Sequence, residues 1–104
     1  IKEWICKKQI KALTPKTRTS SEEILSELAT VRQQGYAISD EEFVLEAFGI
    51  GAPIRDASGQ VWAAISIGAP KIRITEEKIR TYTRLLVETA EKMSKELSIE
   101  VPVL

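Results

Sequence analysis

A chain of 104 residues has room for one domain with a modest core, and with 43% apolar but only 6% aromatic residues that core must be mostly aliphatic. Fifteen basic residues balance fifteen acidic ones, so there is no global field to attract a polyanion, and the nearest basic cluster, Lys7, Lys8, Lys11, Lys16 and Arg18, reads better as a solvated face. There is no histidine and one cysteine, Cys6, so an intrachain disulfide is excluded, and zinc or copper would have to be held by carboxylates alone, a set those metals seldom accept.

No signal peptide and no apolar run near ~18 residues is present. A cytoplasmic globular domain with no cofactor and no membrane partner is therefore expected.

Along the chain, residues 1–12 place Trp4, Ile5 and Ile10, with Leu13 just beyond, at helix-like spacing, which predicts a short helix with Cys6 buried or half-buried on it. Thr14-Pro15 breaks it, because proline disfavours the α conformation in the residue before it. Ser20 or Ser21 caps the next helix, with Glu22 and Glu23 in its first turn. Ile24, Leu25, Leu28 and Val31 form its apolar stripe, and Gly35 ends it.

Tyr36-Ala37-Ile38 then reads as a strand, followed by the acidic run Asp40-Glu41-Glu42. Phe48 to Ile54 and Val61 to Ile67 form a β-hairpin around the turn Asp56-Ala57-Ser58-Gly59, since aspartate bonds to its own backbone and glycine accepts positive φ. Thr75 caps a final helix with Glu76 and Glu77 in its first turn. Along that helix Ile79, Tyr82, Leu86, Ala90, Met93 and Leu97 repeat every three or four residues, which predicts one buried face. The tail from Ile99 to Leu104 reads as an added strand or a loose end. The order of elements implies an α+β fold, an antiparallel sheet with helices against it. Three strands and one long helix close poorly, so a further part of the domain is expected before Ile1.

With a four-residue turn, Arg55 pairs with Gln60. Ile54 then faces Val61, Ala52 faces Ala63, Ile50 faces Ile65 and Phe48 faces Ile67. The opposite face carries Pro53 against Trp62, Gly51 against Ala64 and Gly49 against Ser66, with Gly68 beyond. Side chains alternate across a strand, so one face is apolar and bulky and the other has almost no side-chain volume. Two readings stay open. Strand glycines often mark close approach of another element; alternatively, the hollow holds a small ligand, with backbone groups and the Ser66 hydroxyl as polar contacts.

The strings TPKT at 14–17, LATVRQQGYA at 28–37, SDEE at 39–42, IGAPI at 50–54 and AAISIGAP at 63–70 together resemble the effector-binding domain of IclR-type transcriptional regulators. The resemblance runs from about Ile10 to Leu97. It implies a GAF-like domain, a curved antiparallel sheet flanked by helices, of which residues 1–104 would be the C-terminal portion. The first part of that domain and a winged helix-turn-helix would precede Ile1, so DNA would be reached only through that absent N-terminal domain. Members of the family bind small organic acids or aromatic metabolites and assemble as dimers or dimers of dimers, so a small-molecule effector and a homodimer or homotetramer are expected.

In members that bind small oxo acids, the resemblance places the pocket on a carboxylate, a cysteine and two serines. Those positions fall here on Ser39, Gly49, Ser66 and Gly68, and only Ser66 matches by type. Asp40 stands next to the first and would substitute for it if the loop shifts by one residue. Loss of the cysteine and one serine implies a larger or less polar effector, or a degenerate site.

Other constellations weigh less. Asp40, Glu41 and Glu42 suit a hard cation such as magnesium, but a solvated loop is the commoner fate of a charge run. Ser66 as a nucleophile would need a base within reach, and neither a histidine nor a Ser-x-x-Lys pattern supplies one. Trp62 and Pro53 would line the mouth of the pocket or meet a partner subunit. A sensing domain of a transcription factor, not an enzyme, is thus expected. A GAF-like sensor with another output, and a dimerisation module with a vestigial pocket, are the alternatives.

Overall fold

The computed structural model describes the backbone of residues 1–100 and the side chains of residues 1–97. In chain order it has helices α1 (Lys2–Lys7) and α2 (Ser21–Gln34), strands β1 (Ala37–Asp40), β2 (Ala47–Arg55) and β3 (Val61–Pro70), a single 3-10 turn (Lys71–Arg73) and helix α3 (Glu76–Glu100). The strands form one antiparallel sheet in the order β1-β2-β3. The fold class is α+β, as the order of elements implies. Of the tail read from the sequence, Ile99 and Glu100 belong to α3, and residues 101–104 lie outside the described residues.

The helix ends follow local chemistry. Ser20 Oγ accepts the Glu23 N–H at 3.4 Å. Gly35 sits at φ 87° with its N–H donated to the Val31 carbonyl at 2.8 Å, a left-handed closure that glycine adopts without a Cβ penalty. Thr75 Oγ1 accepts the Lys78 N–H at 3.2 Å and opens α3.

The predicted first helix is cut short. Lys8 is already extended, and Trp4 and Leu13 are exposed. A helix this short is held by packing rather than propensity, and Ile5 is the one residue α1 buries. Cys6, expected to be at least half-buried, is exposed for the same reason.

One face of the sheet carries the core. Phe48, Ile50, Ala52 and Ile54 of β2 are buried against Leu86 and Ala90 of α3, with Ile65, Ile67, Ile79 and Tyr82 packed around them. Ile50, 2% exposed, is the most deeply enclosed. The Arg55 N–H donates to Ser94 Oγ at 2.9 Å and ties the end of β2 to the helix. Because Ser94 makes that contact, Met93 is turned off the sheet and is 40% exposed, contrary to its place in the predicted stripe.

The hairpin register differs from the predicted one by two residues. Ile54 faces Ala63, Ala52 faces Ile65, Ile50 faces Ile67 and Phe48 faces Ala69, with an irregularity at Ile54/Arg55 that sets Arg55 opposite Val61. The cause lies in the turn. Asp56 Oδ1 accepts the Ser58 N–H, the Ser58 hydroxyl and, at 3.1 Å, the Gln60 N–H. Gln60 is therefore a turn residue and not a ladder partner of Arg55. The Ser58 hydroxyl foremost, with the backbone N–H groups, holds the Asp56 carboxyl below its ordinary range. A displacement by two preserves side-chain alternation, so the predicted faces hold from Ala63 onward. Val61, however, expected on the apolar face opposite Ile54, is exposed opposite Arg55 and lines the small-residue side with Pro53.

The segment between β1 and β2 is clamped from outside the sheet. Thr14, only 7% exposed, donates its hydroxyl to the Glu41 carbonyl at 2.6 Å, and the Thr17 hydroxyl donates to the Glu42 carbonyl. Glu41 stands at φ 60°, with its carboxylate on Lys16 Nζ at 2.8 Å and on the Glu46 N–H at 3.0 Å. The Lys16 hydrogen bond first, then the Glu46 N–H, lower the Glu41 pKa from its ordinary value.

Candidate functional site

The other face of the sheet is bare. Gly49 pairs with Ser39 on one side and Gly68 on the other, and Gly51 pairs with Ala37 and Ser66. Pairing therefore gathers Ser39, Gly49, Ser66 and Gly68 on one surface, where with Ala37 and Gly51 they line an open hollow of about 310 Å³. A second hollow of about 420 Å³ shares Ala37 and Gly51 with it. It continues towards Pro53 and Ala64, beneath Leu28 and Val31 of α2. Helix α2 buries none of its residues; its apolar stripe stands over the sheet without closing on it.

The glycines are not required by backbone conformation, since none of Gly49, Gly51 and Gly68 has a positive φ. Nor do they admit a helix. A Cβ on Gly68 would meet nothing within 4 Å, one on Gly51 only the Ile65 carbonyl at 4.0 Å, and one on Gly49 only the Ile67 carbonyl and the Ser39 Cβ. Among the described residues, no helix approaches these positions and the space above them is open.

Asp40 does not join this group. One residue along the strand from Ser39, it projects from the opposite face of the sheet, opposite Phe48. Its carboxylate takes Lys71 Nζ at 2.5 Å, and that ammonium lies 5.4 Å from the centroid of the Phe48 ring. The shift needed to bring Asp40 to the hollow does not occur, because β1 pairs through Asp40 itself.

The rest of the acidic run is also engaged, Glu41 by Lys16 and Glu42 by Arg18 at 3.7 Å. Trp62 is 66% exposed beside the hairpin irregularity and lines neither hollow, whereas Pro53 lines the larger one.

The polar lining is slight. Ser39 and Ser66 supply two hydroxyls, and no other described residue engages either. Such a surface can orient a ligand through a few hydrogen bonds while accepting an apolar body, and it offers no nucleophile–base pair. The sequence places Gly51 on the small-residue face but singles out neither Ala37 nor Leu28. For Ala37 the signal was there, since in a strand it shares the face of Ser39.

Residues 1–95 match the family described as bacterial transcriptional regulator IclR C-terminal. The repressor AllR of Salmonella typhimurium is 35% identical over 94 residues, covering 90% of this chain and 35% of that protein. Among solved structures, IclR of Thermotoga maritima superposes with a TM-score of 0.86 at 36% identity, over 92% of this chain and 39% of that one. The inducer-binding domain of PobR from Acinetobacter, solved as a double mutant with 3-hydroxybenzoic acid, gives 0.81 at 34% identity, over 88% of this chain and 53% of that one.

The chain belongs to the family of C-terminal domains of bacterial IclR transcriptional regulators. The relatives it matches are named as transcriptional regulators and repressors. It spans about a third of the length of the curated relatives it matches. Among the described residues no helix is long and apolar enough to cross a membrane.

Proposed function

We propose that this chain is the C-terminal part of the effector-sensing domain of a longer DNA-binding regulator, and that its effector sits on the bare face of the sheet. The observation that carries this reading is the gathering of Ser39, Gly49, Ser66 and Gly68 around one open hollow, with no helix packed on the glycines. The effector is a small organic acid or aromatic metabolite. An aromatic body suits the site better than a two-carbon acid, because two hydroxyls are its few polar contacts and the adjoining volume is walled by Leu28, Val31 and Pro53. The relative solved with 3-hydroxybenzoic acid supports the same class.

DNA is contacted by a part of the regulator that this chain does not include, and the regulator works as a homodimer or homotetramer. Exposed Phe43, Trp62 and Ile72 support burial against other protein. Effector binding regulates by favouring one arrangement of the subunits over another, which requires different affinity for the two.

The test is a thermal-shift screen of the intact regulator against carboxylates and aromatic acids. At least one compound stabilises it, and Ser66→Leu, which fills the hollow, removes that stabilisation while leaving the ligand-free melting temperature nearly unchanged. A flat response across a broad panel overturns a working effector site.

A further inference from the structure

A cleft of about 400 Å³ on the core side of the molecule is lined by Gln34 and Tyr36 at the junction of α2 and β1, and by Arg80, Thr83, Arg84 and Val87 of α3. Three features set it apart. Arg80 and Arg84 stand one helical turn apart, a like-charge spacing that disfavours a helix unless something neutralises it. Neither guanidinium forms an ion pair among the described residues, even though Glu76 and Glu77 stand one turn before Arg80 and Glu88 one turn beyond Arg84. No carboxylate lines the cleft. Finally, the Thr83 hydroxyl is buried with no hydrogen-bond partner, an arrangement that costs stability when left unmet.

We propose that this cleft is an anion site, separate from the hollow on the sheet, which takes the phosphate or carboxylate group of a small metabolite. Arginine presents planar, forked donors that match both oxyanions. Two arginines one turn apart grip such a group from one side, and Gln34 and Tyr36, tied together by the Gln34 amide N–H on the Tyr36 carbonyl at 2.9 Å, form the opposite wall. Thr83 adds a hydroxyl, since the two χ1 rotamers open to threonine in a helix exchange its methyl and oxygen. The site thus joins α3 to the α2–β1 junction, whose strand carries Ser39 on the opposite face. An anion bound there braces the same strand that borders the effector hollow.

The experiment measures melting of the intact regulator while sodium phosphate, and separately sodium succinate, are titrated at constant ionic strength with chloride as the balance. Binding to the folded state alone gives a saturable rise of roughly 2–5 °C at concentrations well above Kd. The double substitution Arg80→Gln with Arg84→Gln abolishes the rise, and Thr83→Val reduces it. Both arginines are exposed, so their replacement leaves the fold intact. A rise with phosphate alone, or with succinate alone, identifies which oxyanion the site takes. A rise that is equal in the double variant, or that never saturates, or no rise with either anion, overturns the proposal.

Discussion

Ser66 stands directly opposite Gly51 across the β2–β3 ladder, and a Cβ built on Gly51 would meet nothing nearer than the Ile65 carbonyl at 4.0 Å. The serine is therefore flanked by free volume where a strand normally offers a cross-strand side chain. The candidate site is a gap in sheet packing, produced by small residues on alternate positions of three strands.

That gap can be closed without harming the fold. Gly51→Val places a residue favoured in strands where an added Cβ meets nothing nearer than 4.0 Å. The ligand-free protein is expected to unfold at the same or slightly higher urea concentration, while stabilisation by any effector found in the screen disappears. Retained stabilisation would place the effector elsewhere.

The same glycine-to-alanine change has opposite signs at two positions. At Gly51 it is expected to stabilise by about 0.4–1 kcal/mol, through reduced entropy of the unfolded chain. At Gly35, held at φ 87°, it is expected to destabilise by about 1 kcal/mol, because alanine is strained in the left-handed region. Urea denaturation of the two variants side by side gives the comparison.

Ile50→Ala removes the side chain most enclosed between β2 and α3. A loss of about 2–5 kcal/mol is expected, set by how far Leu86 and Ala90 collapse into the cavity. A loss under 1 kcal/mol would mean that this face is not the core.

Thr14→Val keeps the shape of a buried residue but leaves the Glu41 carbonyl without its 2.6 Å donor. About 1–3 kcal/mol is expected to be lost. Faster amide hydrogen exchange at residues 41–47 than in the unaltered protein would locate that loss in the segment between β1 and β2.

The pairing of Glu41 predicts an acid dependence. Its folded pKa lies below the ordinary value of 4.5, so the unfolded chain takes up the proton first as pH falls. The contribution of this carboxylate is fully present above that ordinary value and is lost as pH drops through the lowered folded one. Glu41→Gln is expected to be less stable than the unaltered protein at pH 7, with the difference shrinking towards pH 3. A difference independent of pH would mean that charge is not its source.

Much of this is legible in the sequence. The caps Ser20, Gly35 and Thr75 were readable because a cap depends on neighbours within four residues. The segregation of Ile50 from Gly51 and Ser66 was readable because it depends on alternation alone. The register itself was not, since whether Gln60 belongs to the turn or the ladder rests on which N–H groups the Asp56 carboxylate captures. The side of the sheet taken by Asp40 follows from alternation once Ser39 is placed, and its bond to Lys71 joins residues 31 positions apart.

By itself, then, the sequence determined the caps Ser20, Gly35 and Thr75, the alternation of the hairpin from Ala63 to Ile67 and from Phe48 to Ile54, and the family, all of which rest on short-range chemistry or on ordered motifs. The tertiary structure alone decided that, among the described residues, no helix closes on the small-residue face, since that depends on where α2 comes to rest. It also decided that Met93 and Cys6 are exposed, that Thr14 clamps the strand connection, and that Arg80 and Arg84 share a cleft with Tyr36. Each of these is a contact between elements far apart in the chain, and no local preference encodes how such elements meet.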